Sequence, residues 1–301
     1  MPIYPISFSV NKSKVIEKIS EKKRLLASII PGDLSTYIYD NETDYYNGYK
    51  ESYFAITQKK GGWDCMRHYE ILANGCIPLF IDLDACPHNT LYSFPKDIVS
   101  KTNSIYGHII STPKESQLKL AEEMDLTNLY IKPLIEYTKK YLTNDKIAEY
   151  ILDVTNNNNV KKILYLSGRI YPDYLRCTVL AGFKDLFGEN CHDYPKIPHI
   201  YKDYGDVFNL YGRGITYTRL VDSSKRNNDY DNTIVQDIIN KSYDVVVYGN
   251  YYRGTPFWEL VNQNYGKDKI IMLWGEDIME DKYCDFEKYS KEGYNVFVRE
   301  L

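Results

Sequence analysis

The sequence predicts an α/β protein of two domains, each a parallel sheet flanked by helices and facing a central cleft. Three observations carry that expectation. Short β-prone apolar runs alternate with helical stretches along most of the chain, the pattern of strand–helix–strand units. A polar run without periodicity, Asn156-Asn-Asn-Asn159, divides that alternation, and sets the domains at residues 1–157 and 158–301. The 301 residues, 44% of them hydrophobic, suit one large domain or two ordinary ones with substantial cores.

In the first half, Ile6 to Val10 is a short apolar run, Lys14 to Ser20 has helical spacing and Tyr37 to Tyr39 reads as a strand. Asp44 to Tyr49 fits a turn or short helix. Tyr53 to Thr57 is a strand, broken by Lys59-Lys60-Gly61-Gly62. Asp64 is placed to cap a helix whose inward side is Met66, Tyr69, Leu72 and Ala73. Asn74-Gly75 stops that helix, and Cys76 to Phe80 is a buried strand. Ile105 to Ile110 reads as a further strand, and helical patterns follow over Lys114–Met124, Leu126–Tyr141 and Asp145–Leu152. In the second half, Lys162 to Ser167 is a strand and Tyr174 to Phe187 a helix. Residues 189–231 are polar and irregular. Asp244 to Tyr248, Ile270 to Trp274 and Asn295 to Val298 are strands, with Thr255 as the N-cap and Pro256 as the first residue of a helix between the first two.

The net charge of −4 and pI of about 5.8 exclude a global field that would draw the chain to nucleic acid or anionic membrane. No apolar run approaches the roughly 18–20 residues of a membrane span, and the first residues lack a signal-peptide pattern. The expected setting is therefore cytoplasmic, or the host cytoplasm if the chain is viral. Six cysteines, at 65, 76, 86, 177, 191 and 284, form no Cys-x-x-Cys pair and fit reduced thiols. The 31 tyrosines with abundant Asn, Lys and Ile suit AT-rich coding.

The chemistry concentrates where the first long strand meets its glycine turn. A helix beginning there aims backbone N–H groups and a partial positive charge at the turn. Lys59, Lys60 and Arg67 add formal charge, and Glu70 shares a helix face with Arg67. The combination is an anion site with a carboxylate beside it. The run Lys60-Gly-Gly-Trp-Asp-Cys-Met-Arg-His-Tyr-Glu-Ile-Leu-Ala-Asn-Gly-Cys-Ile-Pro78, with Cys86-Pro87 and Phe94-Pro95-Lys96 behind it, resembles the nucleotide-sugar motif of exostosin-like glycosyltransferases. More broadly it is similar to the Arg, Glu and Gly-x-x-Pro signature of enzymes with two Rossmann-like domains, the GT-B fold. The match covers roughly residues 49–96. It implies that Arg67 contacts a diphosphate and Glu70 ribose or sugar hydroxyls, within a donor site of Lys59, Lys60, Gly61, Gly62, Trp63, Asp64, Arg67, His68 and Glu70. In enzymes of that fold the nucleotide-sugar domain is the C-terminal one, so the resemblance implies that here the domain order is inverted or the chain is permuted.

The resemblance thus implies transfer of a sugar from a nucleotide-sugar co-substrate to an acceptor hydroxyl on a glycan, protein or other molecule. Gly249 to Pro256 repeats the strand, loop and helix-start design, which makes Asn250, Arg253, Gly254 and Thr255 candidates for an acceptor or phosphate loop. Ligands of open α/β sheets sit outside the carboxyl ends of the strands, so Asp173, Glu276 and Asp277 are the candidate catalytic carboxylates. Asp82-Leu83-Asp84 follows a strand as a metal-binding Asp-x-Asp would, but such triplets are common, and no metal or other cofactor is expected. Two domains hinged at the Asn run would open and close around the donor. The alternatives are a non-catalytic nucleotide-sugar or glycan binding module and a nucleotide-sugar-modifying enzyme such as an epimerase.

Overall fold

Apolar runs of four or five residues, too short for helices, become strands buried on both faces. The computed structural model describes residues 2–277 and 285–301; Cys284 lies outside them. Its strands are β1 (Ile3–Pro5), β2 (Arg24–Leu26), β3 (Ser52–Thr57), β4 (Ile77–Phe80), β5 (Ile163–Leu166), β6 (Cys191–Tyr194), β7 (Val245–Tyr248), β8 (Ile270–Trp274) and β9 (Asn295–Val298). Among the described residues they form two parallel sheets, β2-β3-β4 and β1-β9-β8-β7-β5-β6. In the larger, Leu164 stands opposite both Val246 and His192, and Met272 opposite Val296. Counting β5 as first, its five C-terminal strands have the doubly wound order 2-1-3-4-5, which reverses direction between β5 and β7. The N-terminal β1 pairs with β9, Tyr4 opposite Phe297, so the first 157 residues contribute to both sheets.

The helices are α1 (Glu42–Lys50), α2 (Met66–Ala73), α3 (Lys96–Ile110), α4 (Lys114–Glu123), α5 (Lys132–Tyr141), α6 (Asn144–Val154), α7 (Tyr174–Phe187), α8 (Ile234–Ile239), α9 (Trp258–Asn264) and α10 (Phe286–Glu292). The Asn41 side chain caps α1 by accepting the Asp44 N–H at 2.8 Å. Gly75, with φ of 64°, takes the left-handed position that ends α2, where a side chain would also meet Ile16.

Several expectations are corrected. Ile105 to Ile110 is the last part of α3, whose buried Val99, Thr102 and Ile109 follow a helical face rather than alternation. Lys14 to Ser20 makes only the turn at Lys12–Lys14, because the Ile16 N–H is drawn instead to the Ala73 carbonyl at 2.9 Å. Tyr37 to Tyr39 is a loop beside the cleft, and Arg24–Leu26 takes the edge position of the small sheet. Thr255 and Pro256 precede rather than open α9, whose N-cap is Phe257 in a left-handed conformation. The Asn156–Asn159 run is a packed turn instead of a flexible linker. Asn157 is buried, its N–H donates to the Leu152 carbonyl at 2.8 Å, and its side chain accepts from Lys269 at 2.7 Å.

One apolar cluster runs through both sheets, joining Tyr69, Leu72 and Leu134 to Val245, Leu273 and Phe297. Within it α6 lies against α7. No described helix is long and apolar enough to cross a membrane.

Candidate functional site

Parallel strands deliver their following loops to one edge, and here the loops after β3, β5, β7 and β8 meet around a cavity of about 1250 Å³. Residues 60–62 and 64–67 with Glu70 line one side, Trp63 lying outside the lining, and Asp173, Tyr174, Arg253 and Glu276 with Asp277 line the other. Two further loops complete the lining, one carrying Tyr37 and Tyr39 and one carrying Tyr211 and Arg213.

The first wall is cationic. Lys60 Nζ and Arg67 Nη2 both donate to the Tyr37 hydroxyl, at 3.2 and 2.7 Å, and Lys60 Nζ and Arg67 Cζ each lie 5.6 Å from the centre of its ring. Neither has an acidic partner among the described residues. Arg67 Nε is buried without any hydrogen-bond partner. Glu70, three residues on, turns away from Arg67: its Oε2 accepts the Tyr45 hydroxyl at 2.5 Å and its Oε1 the Thr216 hydroxyl at 2.6 Å. Burial raises the Glu70 carboxyl above the usual range, against the pull of those two hydrogen bonds and of Arg67.

Other predicted members of this wall hold it together. Lys59 lies outside the cavity, its N–H donating to the Asp82 carboxylate at 3.2 and 3.3 Å and its ammonium 5.0 Å from the centre of the Trp63 ring. His68 is wholly buried: Nδ1 is 2.7 Å from the Thr57 hydroxyl and Nε2 2.8 Å from the Trp63 carbonyl. Burial pushes its pKa down to about 3, so the ring is neutral, donating from Nε2 and accepting at Nδ1. It is not among the residues that line this cavity, and it ties strand to loop beneath the lining. Asp64 does not cap α2, whose N-cap is Cys65. It accepts the Phe8 N–H and the Tyr69 hydroxyl, each at 2.7 Å, and burial pushes its carboxyl up to about 7.

The amides ahead of α2 are not free either. The Glu300 carboxylate accepts the Trp63 and Asp64 N–H groups at 2.9 and 3.0 Å. Gly61 and Gly62 leave room for this close approach. A β-carbon on Gly61 would stand 2.5 Å from Asp277 Oδ2, and one on Gly62 would collide with Glu300. Beneath both carboxylates lies Arg299, fully buried, which donates to the carbonyls of Gly275 (3.0 Å) and Asp64 (2.6 Å), to Glu300 (2.6 Å) and to Asp277.

The second wall is acidic and internally paired. Asp173 caps α7, its Oδ1 accepting the Arg176 N–H at 3.0 Å, while its Oδ2 accepts from Asn250 at 2.7 Å. The same Asn250 amide donates to Glu276 at 2.9 Å, and Arg253 Nη2 donates to Glu276 at 3.0 Å. Among the described residues Asp277 pairs with Arg299 alone, and it keeps 56% of its side chain exposed. These residues follow β5, β7 and β8, which includes the point where strand order reverses. Gly254 and Thr255 fall outside the cavity lining, as does Asn250, which lies behind the carboxylates it joins. Asp82 and Asp84 also lie outside it. Among the described residues no group of three or more His, Cys, Asp or Glu side chains is placed to hold a metal ion.

The walls are tied across. Arg213 donates to the Tyr39 carbonyl and lies 3.4 Å from Asp40. The Thr216 N–H donates to Glu42 at 2.7 Å and its hydroxyl reaches Glu70. Tyr37, Thr216, Arg299 and Glu300 are the contributors that sequence reasoning missed. Arg299 and Glu300 could have been found, because they directly follow the last strand as Glu276 and Asp277 follow the one before. Thr216 sits in the irregular 189–231 stretch, where no local pattern marks it. Compared with family models, curated proteins and solved structures, the chain matches none.

Proposed function

We propose that this chain is a glycosyltransferase that takes a sugar from a nucleotide-sugar donor to an acceptor hydroxyl. In this reading it is a GT-B-like enzyme whose donor-binding part comes first in the chain. The observation that carries the reading is the pair of cations on Tyr37. Lys60 and Arg67 share one phenol oxygen, lack an acidic partner among the described residues, and leave Arg67 Nε unsatisfied. An anion such as a diphosphate would satisfy all three. Glu70 keeps lone pairs beyond those given to Tyr45 and Thr216, so it can accept a donor hydroxyl as well.

In the reaction the acceptor oxygen forms a bond to the anomeric carbon as the bond from that carbon to the diphosphate breaks. The nucleoside diphosphate leaves with the electron pair, and Lys60 and Arg67 stabilise its developing charge. In an inverting reaction the acceptor proton passes to a carboxylate of the opposite wall. The resemblance of residues 60–78 to exostosin-like transferases supports the same assignment.

The test is incubation with a panel of nucleotide sugars, following release of nucleoside diphosphate. The expected result is slow hydrolysis of one donor, accelerated by its acceptor. Lys60→Ala and Arg67→Ala should each slow release by about 10²-fold or more. Tight binding without release would favour a binding module, and near-normal rates in Arg67→Ala would overturn the assignment.

A further inference from the structure

We propose that Thr216 is a positioning residue that holds the Glu70 carboxylate in the orientation that reads a donor hydroxyl. The inference rests on the donor-site reading above and extends it to a residue 146 positions away in sequence.

Two independent features of Thr216 point there. The first is its backbone: φ is 74°, a left-handed conformation that a β-branched side chain rarely adopts. Such a conformation persists where the surroundings over-determine it, and clusters where a side chain must be held in one place. The second is what the hydroxyl does. Thr216 is fully buried, and its Oγ1 donates to Glu70 Oε1 at 2.6 Å. The Tyr46 hydroxyl lies 2.7 Å from the same Oγ1 and donates to Glu42 at 3.0 Å, so it links Thr216 to α1. The Thr216 N–H is meanwhile anchored on Glu42 at 2.7 Å. Glu42, Tyr46 and Glu70 therefore grip one residue of a loop that also carries Tyr211 and Arg213 into the cavity. With Tyr45 on Oε2 and Thr216 on Oε1, the Glu70 carboxylate cannot rotate, and its remaining lone pairs face fixed directions.

A purely structural threonine would be replaceable by any residue that fills the space. A positioning threonine is replaceable only by one that keeps the hydroxyl. The charged and titratable groups facing Glu70 are Glu42, Tyr45, Tyr46 and Tyr49 from α1, Arg67 from its own helix and Tyr174 from α7. Removing the Thr216 hydroxyl takes from this set a hydrogen bond that favours the charged carboxylate, so Glu70 should titrate at higher pH.

The experiment uses the full chain and four variants: Thr216→Val, Thr216→Ser, Thr216→Gly and, to assign the signal, Glu70→Gln. In the ligand-free protein, carbon-13 labelling of glutamate carboxyls reports the Glu70 titration. Thr216→Val should move its midpoint up and Thr216→Ser should restore it. Thr216→Gly, which relieves the left-handed backbone but lacks the hydroxyl, should behave as the valine variant does. It keeps the test open if valine fails to fold. In parallel, affinity for uridine diphosphate glucose and guanosine diphosphate mannose is measured across pH. Whichever probe the wild type binds should bind about tenfold more weakly to Thr216→Val and Thr216→Gly, with the acidic loss of binding starting at higher pH. An unmoved Glu70 midpoint, or equal probe affinity in the serine and valine variants, overturns the proposal. Failure of the wild type to bind either probe, with the midpoint still shifted, overturns the donor-site reading for these nucleotides while Thr216 keeps its hold on Glu70.

Discussion

At the scale of single residues, the three carboxylates of the second wall are separated by what already holds them. Asp173 spends one oxygen on the start of α7 and the other on Asn250. Glu276 is shared between Asn250 and Arg253, whose Nε also lies 2.9 Å from it. Among the described residues Asp277 gives Oδ1 to Arg299, and its Oδ2 lies against Gly61, between the acidic wall and the glycine loop. Under the proposed inverting transfer a base would have to reach the acceptor proton beside the donor, and among the three that reading assigns the task to Asp277. Asp277→Asn keeps the hydrogen-bonding shape but removes the basicity, and the expected loss in kcat is about 10²–10⁴-fold with little change in donor affinity. Steady-state kinetics of Asp277→Asn beside Asp173→Asn and Glu276→Gln measures this. If Asp277→Asn turns over normally, the base is elsewhere or the reaction retains configuration.

At the scale of elements, the unit that makes the first wall is β3, the glycine loop and α2, and His68 is its internal brace. Its ring lies between Phe80 and Phe94, with centroids 4.5 and 5.7 Å away, and its two nitrogens tie Thr57 of the strand to Trp63 of the loop. Burial lowers its pKa from 6.5 to about 3, so between those values the unfolded chain binds the proton and the folded chain does not. The stability His68 contributes is therefore complete above pH 6.5 and lost as pH falls toward 3, by up to a few kcal/mol. Asp64, raised to about 7 by burial, slopes the opposite way over part of that range. The His68 share is thus read from urea midpoints of wild type and His68→Gln between pH 4 and 7, where the wild type should show the steeper acid loss. Equal slopes would mean that the ring is protonated in place. Strand and helix of this unit were legible from sequence, because Tyr53–Thr57 and Met66–Ala73 carry period and punctuation within a few residues. The helix Tyr174–Phe187 was legible for the same reason. What was not legible depends on partners far along the chain. The expected helix at Lys14 yields to a bond with the Ala73 carbonyl, and the amides expected to be free for an anion are taken by Glu300, more than 230 residues away.

At the scale of the whole molecule, the question is whether the two parts move against each other. A hinge at the Asn156–Asn159 run was the natural expectation of a polar stretch between two α/β patterns. Its Asn157 is instead fastened to Lys269, α6 packs on α7, and β1 crosses to pair with β9. The carbonyl of Asn144 lies so close to Gly182 that no side chain would fit between α6 and α7. Polar ties repeat the connection at the cleft, through Arg299 to the Asp64 carbonyl and through Thr216 to Glu42 and Glu70. A contiguous apolar core between two parts favours a fixed relation over hinge motion, because opening it would expose that surface to water at about 25 cal/mol per Å². In the proposed reaction, exclusion of water would then fall to the loops that carry Tyr37 and Tyr211. The expected outcome is that paired spin labels on exposed sites of α4 and α8, far from the cleft, report the same distance with and without a saturating donor. A pair spanning the Tyr37 and Tyr211 loops should shorten or narrow its distribution. A large change in the α4 to α8 distance would show that the shared core does not hold the two parts together, and would restore the hinge.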